Sequence, residues 1–565
     1  MNALQKLSGV FRSETALRYL QLIAGAAAIG LIFWRLQFST GSICCGDFDG
    51  YYHIMWSRML WDGIRSRHFP PLFTWLPLTT LSPKGYVDHH FLFHIFQIPF
   101  TWFRDLRLGA KIASTIFASL AVFSCYWFLV CHRIRYVLVW LVALLACSAP
   151  FLFRMNMAKA PPFAIIYLII GIYLLFRRKY WPLLPLAFVF ALTYDMFVLL
   201  ILAALAWGVV IGWAERRIEW RPVVLVLLGT AAALVINPYF PHNLYLLYEH
   251  LKIKLTFSDF STKVGQEWYP YETWEFLGNS LVACIAMVVG YIAFDPADRK
   301  RSHYPLFFLV FSTGLMVMTA RWKRIAEYWP PFAVIFAAFS LQPWIACARS
   351  AFTGLPKDIL DELEPFLDRH EPAEAAGVEQ RKELVRTLAA AVVAVALGIA
   401  LFLNLRVTAK DIANSEPADH YKAGMQWVRA NVPPGEIVFN TDWDDFPRMF
   451  YFDPTHRYVS GLDPTYLYDR NPELSKLYDH ITLGDEEDPG PLIRERFGAH
   501  YVFTDTSHQD FYNNAVNSGW FEVVHEEKDC IVLRLREQKV EPPTEQNDND
   551  NSDSSDTGND NSRPK

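Results

Sequence analysis

Apolar runs of about fifteen to twenty-three residues, separated by short charged turns, dominate the first 405 positions of the 565-residue chain. They fall at approximately 17–38, 109–131, 136–153, 162–176, 180–194, 196–214, 222–238, 276–294, 304–320, 328–346 and 388–405. A helix of about twenty apolar residues crosses roughly 30 Å of hydrocarbon with every backbone group paired internally. The pattern therefore predicts a polytopic α-helical membrane region, residues 1–405, with about eleven transmembrane helices. Two long polar interruptions, 39–108 and 239–275, read as loops on one face, and 349–387 as a charged connector on the other, with an amphipathic helix around LPKDILDELEPFL.

Within the first loop, HFLFHIFQIPFTWF (His90–Phe103) is apolar but too short to cross, so it is expected to lie in the interface, with His90 and His94 snorkelling towards water. After the last run the period changes. EIVF and HYVFTD read as strands, FEVVHEE and CIVLRLR as a hairpin, and PTYLYDRNPELSKLYDHI as a helix. Residues 406–537 are thus expected to form a small α/β domain. The tail 538–565, with NDNDNSDSSDTGNDN, is disordered by composition.

Composition agrees: 53% hydrophobic, 16% aromatic and 19% charged residues are too apolar for a soluble enzyme of this length. The net charge of −5 decides less than its distribution. Arg133, Arg135, Arg177, Arg178, Lys179, Arg216, Arg217, Arg221, Arg299, Lys300 and Arg301 fall in alternate loops. By the positive-inside rule these face the cytoplasm, the N-terminus with them, and residues 406–565 lie outside. The expected location is the cytoplasmic (inner) membrane, multi-pass. The eight cysteines show neither metal-ligand spacing nor a disulfide framework, and no nucleic-acid partner is expected.

That orientation places most unusual polar residues on one side: Asp47, Asp49, Asp88, His89, His90, Arg154, Lys159, Glu267, Arg321 and Arg324. Carboxylates beside hydrocarbon are costly unless hydrated, paired or bound to a cation. Asp49 and His53 share a helix face. With Asp88 and His89 they form either a divalent-cation site or an acid/base pair, the alternative being ordinary loop acids. Arg321 and Arg324 stand on the side the positive-inside rule disfavours, where they suit a lipid-linked phosphate. Lys159 and Arg154, in RMNMAKAPP, invite the same reading. Asp195, in ALTYDMF, faces either this site or a wet turn.

In order along the chain, these motifs resemble the catalytic subunits of oligosaccharyltransferases, within the membrane glycosyltransferases of GT-C fold. That family carries Phe-Asp-Pro-aromatic-Phe-Asn-Tyr in its first outer loop, where this chain has Phe48-Asp49-Gly50-Tyr51-Tyr52-His53-Ile54. Its Glu-His-Gln-Pro is matched by Glu267-Trp268-Tyr269-Pro270, and its Trp-Trp-Asp-Tyr-Gly by Asp442-Trp443-Asp444-Asp445-Phe446. The resemblance implies transfer of a sugar or glycan from a polyprenyl-phosphate or pyrophosphate donor to an acceptor, protein or glycan, on the outer face of the membrane.

It implies catalytic roles for Asp49 and Glu267 and a donor-phosphate contact from Arg321 or Arg324; by position and charge Asp47 is added to the catalytic acids, and Lys159 and Arg154 to the phosphate contacts. Acceptor contacts would come from Trp443, Asp444 and Asp445. The family's second acidic motif is replaced by Met157-Ala158-Lys159-Ala160. A divalent metal (Mn or Mg) would therefore need Asp49, Asp88, His89 and Glu267, or Lys159 would neutralise the donor phosphate directly. The competing readings are a lipid or solute transporter, disfavoured because the spans are nearly free of charge, and a non-catalytic scaffold with an external sensing domain.

Overall fold

The computed structural model describes residues 14–43, 48–255, 266–296, 302–345 and 373–540. Asp47, Cys44, Cys45, the amphipathic segment expected around 355–367 and the polar tail lie outside the described residues. The apolar runs form helices α1 (Glu14–Gln37), α4 (Leu106–Cys131), α5 (Val137–Ala146), α6 (Ala149–Asn156), α7 (Pro161–Phe176), α8 (Leu183–Thr193), α9 (Val198–Glu215), α10 (Arg221–Val235), α12 (Thr273–Asn279), α13 (Leu281–Ala293), α14 (His303–Arg321), α15 (Trp329–Ile345) and α16 (Ala373–Ala413). The loops between them add α2 (Asp49–Ser66), α3 (Phe91–Gln97) and α11 (His242–Leu255).

Every expected span falls in helix, yet among the described residues only five helices are long and apolar enough to cross a membrane, or seven if each of two bent pairs counts as one span. The shortfall has local causes. The run 136–153 is broken into α5 and α6, bent by 80°, because Cys147-Ser148-Ala149-Pro150 restarts the helix. Ser148 Oγ accepts a hydrogen bond from Phe151 N at 3.3 Å, and the proline sits in the first turn, where its missing N–H costs nothing. The run 276–294 is likewise two helices, α12 and α13, bent by 87° at Ser280. Ser280 Oγ donates to Ser148 Oγ at 3.1 Å, so the two breaks abut. Helices α7, α8 and α10 are apolar but only 16, 11 and 15 residues long.

The bundle core forms where helices are apolar all round. Every residue of α15 from Trp329 to Ser340 is buried. Helix α4 packs against α1 and α7, α8 against α10, and α13 against α15. Helix α16 is different: within its apolar stretch 384–413 no residue of the most apolar window is buried, so it stands at the edge of the bundle.

Beyond it, α17 (Lys422–Asn431), β1 (Ile437–Asn440), α18 (Phe446–Phe452), β2 (Arg457–Tyr458), β3 (Ala499–Asp505), β4 (Phe521–Glu526) and β5 (Cys530–Leu535) build an α/β unit. Its sheet has the order β2-β1-β3-β5-β4, parallel across β2, β1 and β3 and antiparallel from β3 onward. The two strands and the hairpin lie as expected, and β2 is an addition. The helix expected over 464–481 is two, Thr465–Arg470 and Pro472–Thr482. Pro472 drives Asn471 into extended backbone, and Asn471 Oδ1 caps the second helix through Leu474 N at 3.1 Å.

This unit does not stand apart. Trp56, Leu60, Phe73 and Tyr86 from the first loop share one buried cluster with Met425, Phe446, Met449 and Phe450. The first loop is thereby pressed between the bundle and the sheet.

Candidate active site

Helix α2 starts at Asp49, in the first turn, and its N-terminus leans on the turn Met157–Ala160 between α6 and α7. Gly50 permits the approach. A Cβ there would come within 2.7 Å of Ile43 Cγ2 and 2.9 Å of Ala158 Cβ. That turn is tied by Lys159 N donating to Met157 O at 2.8 Å and by Ser114 Oγ donating to Asn156 O at 2.7 Å. The result is an ion pair between Lys159 Nζ and Asp49 Oδ2 at 2.7 Å, with the two side chains 15% and 24% exposed. Gly50→Val is expected to force the two segments apart, costing about 1–3 kcal/mol from overpacking. A lowered thermal midpoint in detergent checks this.

A second group of charges adjoins the first. Glu267 lies in the short 3₁₀ turn Gln266–Trp268. The strand-like residues after it are stitched to the end of α14, with Lys323 N donating to Tyr269 O at 3.1 Å and Tyr271 N to Ala320 O at 3.3 Å. This brings Arg324 onto Glu267 Oε1, while Arg154, in the last turn of α6, donates to Glu267 Oε2 at 2.7 Å. Burial works to raise the Glu267 pKa, but Arg324, Arg154 and Lys159 outweigh it and hold the carboxyl well below its ordinary range. Lys159 thus acts on both Asp49 and Glu267, and one continuous string of charges results.

Glu327, which the sequence reading passed over, completes the group. Its side chain is 1% exposed, receives Arg154 Nε at 2.6 Å and accepts from the Tyr328 hydroxyl at 2.7 Å. With that proton committed to Glu327, the Tyr328 oxygen accepts from the Tyr194 hydroxyl 3.1 Å away, and Arg324 Nη2 donates to the Tyr194 oxygen at 3.0 Å. Arg321, expected alongside Arg324, has its guanidinium over the Trp322 ring at 5.8 Å.

Asp88, a candidate metal ligand, lies deeper. It is 3% exposed and wholly engaged: His94 Nδ1 lies 2.8 Å from Oδ2, Trp56 Nε1 donates to Oδ2 at 3.0 Å, and His90 N donates to Oδ1 at 3.0 Å. Burial raises the Asp88 pKa, yet His94 and Trp56 outweigh it and keep the carboxyl ionised. His94 Nε2 in turn lies 2.7 Å from His53 Nδ1, so Asp88, His94 and His53 form a buried hydrogen-bonded chain ending one helical turn from Asp49. Burial, with His94 and Lys159, holds His53 neutral.

His94 is therefore no snorkelling residue; it is 1% exposed, because Asp88 satisfies it inside. His89 and Asp195 line a small neighbouring crevice with Asn237 and Asn243. Among the described residues no three His, Cys, Asp or Glu gather as a metal-holding group. Asp49, Asp88 and Glu267 each meet a basic or imidazole partner instead.

The residues expected to meet the acceptor follow β1 directly. Trp443 and Asp444 are half-buried, whereas Asp445 is 4% exposed. Burial, reinforced by Asp442 and Asp505, raises the Asp445 pKa well above the carboxylate range. Of the three, Trp443 and Asp444 are the ones a bound molecule can reach.

No protein-family profile and no curated protein matches the sequence. Solved structures do. Archaeoglobus fulgidus oligosaccharyltransferase AglB, in complex with an inhibitory peptide and a dolichol-phosphate, superposes with a TM-score of 0.59 at 11% identity over 89% of this chain and 72% of that one. The oligosaccharyltransferase of the same organism tethered with an acceptor peptide gives 0.56 at 12% identity, covering 90% and 74%. ArnT from Cupriavidus metallidurans, bound to undecaprenyl phosphate, gives 0.55 at 15% identity, covering 92% and 99%. At these identities the likeness is one of architecture: the chain has the GT-C fold of membrane glycosyltransferases.

Proposed function

We propose that the protein is an inner-membrane glycosyltransferase that moves a sugar or glycan from a polyprenyl-phosphate or pyrophosphate donor to an acceptor, protein or glycan, on the outer face. The observation that supports this most is the pairing of one carboxylate, Asp49, with a cation, Lys159, that also reaches the Glu267–Arg154–Arg324 group.

In this reading the donor phosphate is held by Lys159, Arg154 and Arg324, with Arg321 at the rim. An acceptor hydroxyl or amine attacks the anomeric carbon, and the bond from that carbon to the phosphate oxygen breaks. The electron pair leaves with the phosphate, whose growing charge the three cations stabilise. The acceptor's proton passes to the Asp49 carboxylate. Asp47 is assigned to the same loop as a second acid. Glu267 and Glu327 hold the two arginines in place, and the entering phosphate takes over Lys159 from Asp49. Trp443 and Asp444 form the acceptor side, with the buried Asp445 behind them.

No step of this proposal runs through a metal, because the candidate ligands meet cations and imidazoles. Transfer by the purified protein is expected to persist after exhaustive EDTA treatment. Complete loss, restored by one divalent ion such as Mn²⁺ or Mg²⁺, would return Asp49, Asp88, His89 and Glu267 to the role of ligands. The function itself is tested by mass spectrometry of glycoproteins, glycolipids and polyprenyl-linked sugars from cells with and without the chain. Accumulation of one lipid-linked sugar, with loss of the matching glycan, is the expected result; unchanged profiles would sink the proposal.

A further inference from the structure

Helix α2 begins without the usual support. Phe48 occupies the N-cap position and its side chain caps no backbone N–H, so the first turn, which carries Asp49, has from Phe48 only the carbonyl that accepts from Tyr51 N at 2.9 Å. What else holds it comes from the other end of the chain. Arg448, in the first turn of α18, is 1% exposed, and its guanidinium lies over the Phe48 ring at 4.2 Å and over the Tyr51 ring at 4.8 Å. In its plane, Nη1 donates to Pro417 O at 2.7 Å and to His420 O at 3.4 Å, and Nη2 donates to Glu416 O at 3.4 Å. Tyr451, one turn further along α18, meets Tyr51 edge-on at 5.2 Å.

Phe48 and Tyr51 bracket Asp49 in sequence. One planar cation therefore touches both sides of the aspartate's turn, and also the strap 416–420 leading out of α16. We infer that Arg448 is a positioning residue for Asp49, acting through the rings of Phe48 and Tyr51. The inference rests on the transferase reading only for its effect on turnover. A guanidinium suits the place because its faces meet aromatic rings while its edge donates to carbonyls; an ammonium group offers no such plane. Arg448 also stands three residues after Asp445, so the loop assigned to the acceptor and the turn carrying Asp49 are joined through one short helix.

The test uses full-length protein in lipid nanodiscs, with Arg448→Lys, Arg448→Met, Phe48→Leu and the double variant. Amide hydrogen exchange over residues 48–54 is read without substrate. Turnover is read with native donor-containing membranes, and undecaprenyl phosphate serves as the binding probe. Both Arg448 variants are expected to speed exchange in 48–54 about tenfold or more, with α4 and the sheet unchanged. Turnover is expected to fall about tenfold or more while undecaprenyl phosphate binding stays within about twofold, and Phe48→Leu added to Arg448→Met to cost nothing further.

The inference is overturned if exchange in 48–54 does not change, if it rises equally throughout the sheet, if Arg448→Lys matches the wild type, or if the two losses multiply. Should Arg448→Met fail to fold, Phe48→Leu, which leaves the carbonyl contacts intact, decides the matter by the same exchange reading. A wild-type protein without transfer would defeat the transferase reading, while the exchange result would still judge the clamp.

Discussion

Asp49→Asn is expected to lower transfer by about 10²–10⁴-fold, the range for removing a general base, in a protein that still folds and inserts. The amide keeps the side chain's volume, and the position is 24% exposed, so little packing is at stake. Lys159 loses its ion pair, but a partly exposed lysine rehydrates at small cost. Undecaprenyl phosphate should therefore bind as well as before, or better, because Lys159 no longer has to leave a carboxylate. Turnover and probe affinity measured on the same preparation separate the two effects. Near-normal turnover would remove Asp49 from the mechanism.

Glu327→Ala is expected to be the most destabilising change at the site, by about 3–5 kcal/mol, since removing one member of a buried ion pair leaves the other uncompensated. Arg154 would keep Glu267, which it shares with Arg324, but lose the more deeply buried of its two carboxylates. Tyr328, fully buried, would lose the acceptor for its hydroxyl. The arginine is then held from one side only, and affinity for undecaprenyl phosphate should weaken together with the thermal midpoint. Glu327→Asp, which keeps the charge on a shorter arm, should recover part of both. A variant melting with the wild type would show that Arg154 is held from elsewhere.

The parts of the fold legible in the sequence were those written in periodicity. Long apolar runs announced the helices, and short ones such as EIVF and the start of CIVLRLR announced strands, which lie inside the sheet and are buried on both faces. The breaks were harder. Ser148-Ala149-Pro150 is a helix-start signal, but it lies inside an apolar run and was absorbed by it, so one expected span is two helices.

At the site, Asp49, Lys159, Glu267, Arg154 and Arg324 were visible because a charge beside hydrocarbon demands a reason. Glu327 was hidden: it sits two residues before the apolar helix α15, and only the fold shows Arg154 reaching it. His94 was visible but misread as snorkelling. Nothing in its spacing tells an interfacial histidine from one buried between Asp88 and His53, since His53 comes from forty-one residues away. Arg448 gave no signal at all, because its partners are aromatic faces and carbonyls.

The order in which the ribosome makes these parts adds a last consequence. Asp49 emerges early and Arg448 roughly 400 residues later, after every hydrophobic helix has been inserted. At about 5–20 residues per second the turn carrying Asp49 waits some tens of seconds for the side chain that fixes it. During that interval the helices that precede it are already made. Under the transferase reading proposed above, a carboxylate whose pose depends on the final stretch of the chain would not act before synthesis is nearly done, and the unfinished protein would be spared premature transfer to its neighbours or itself.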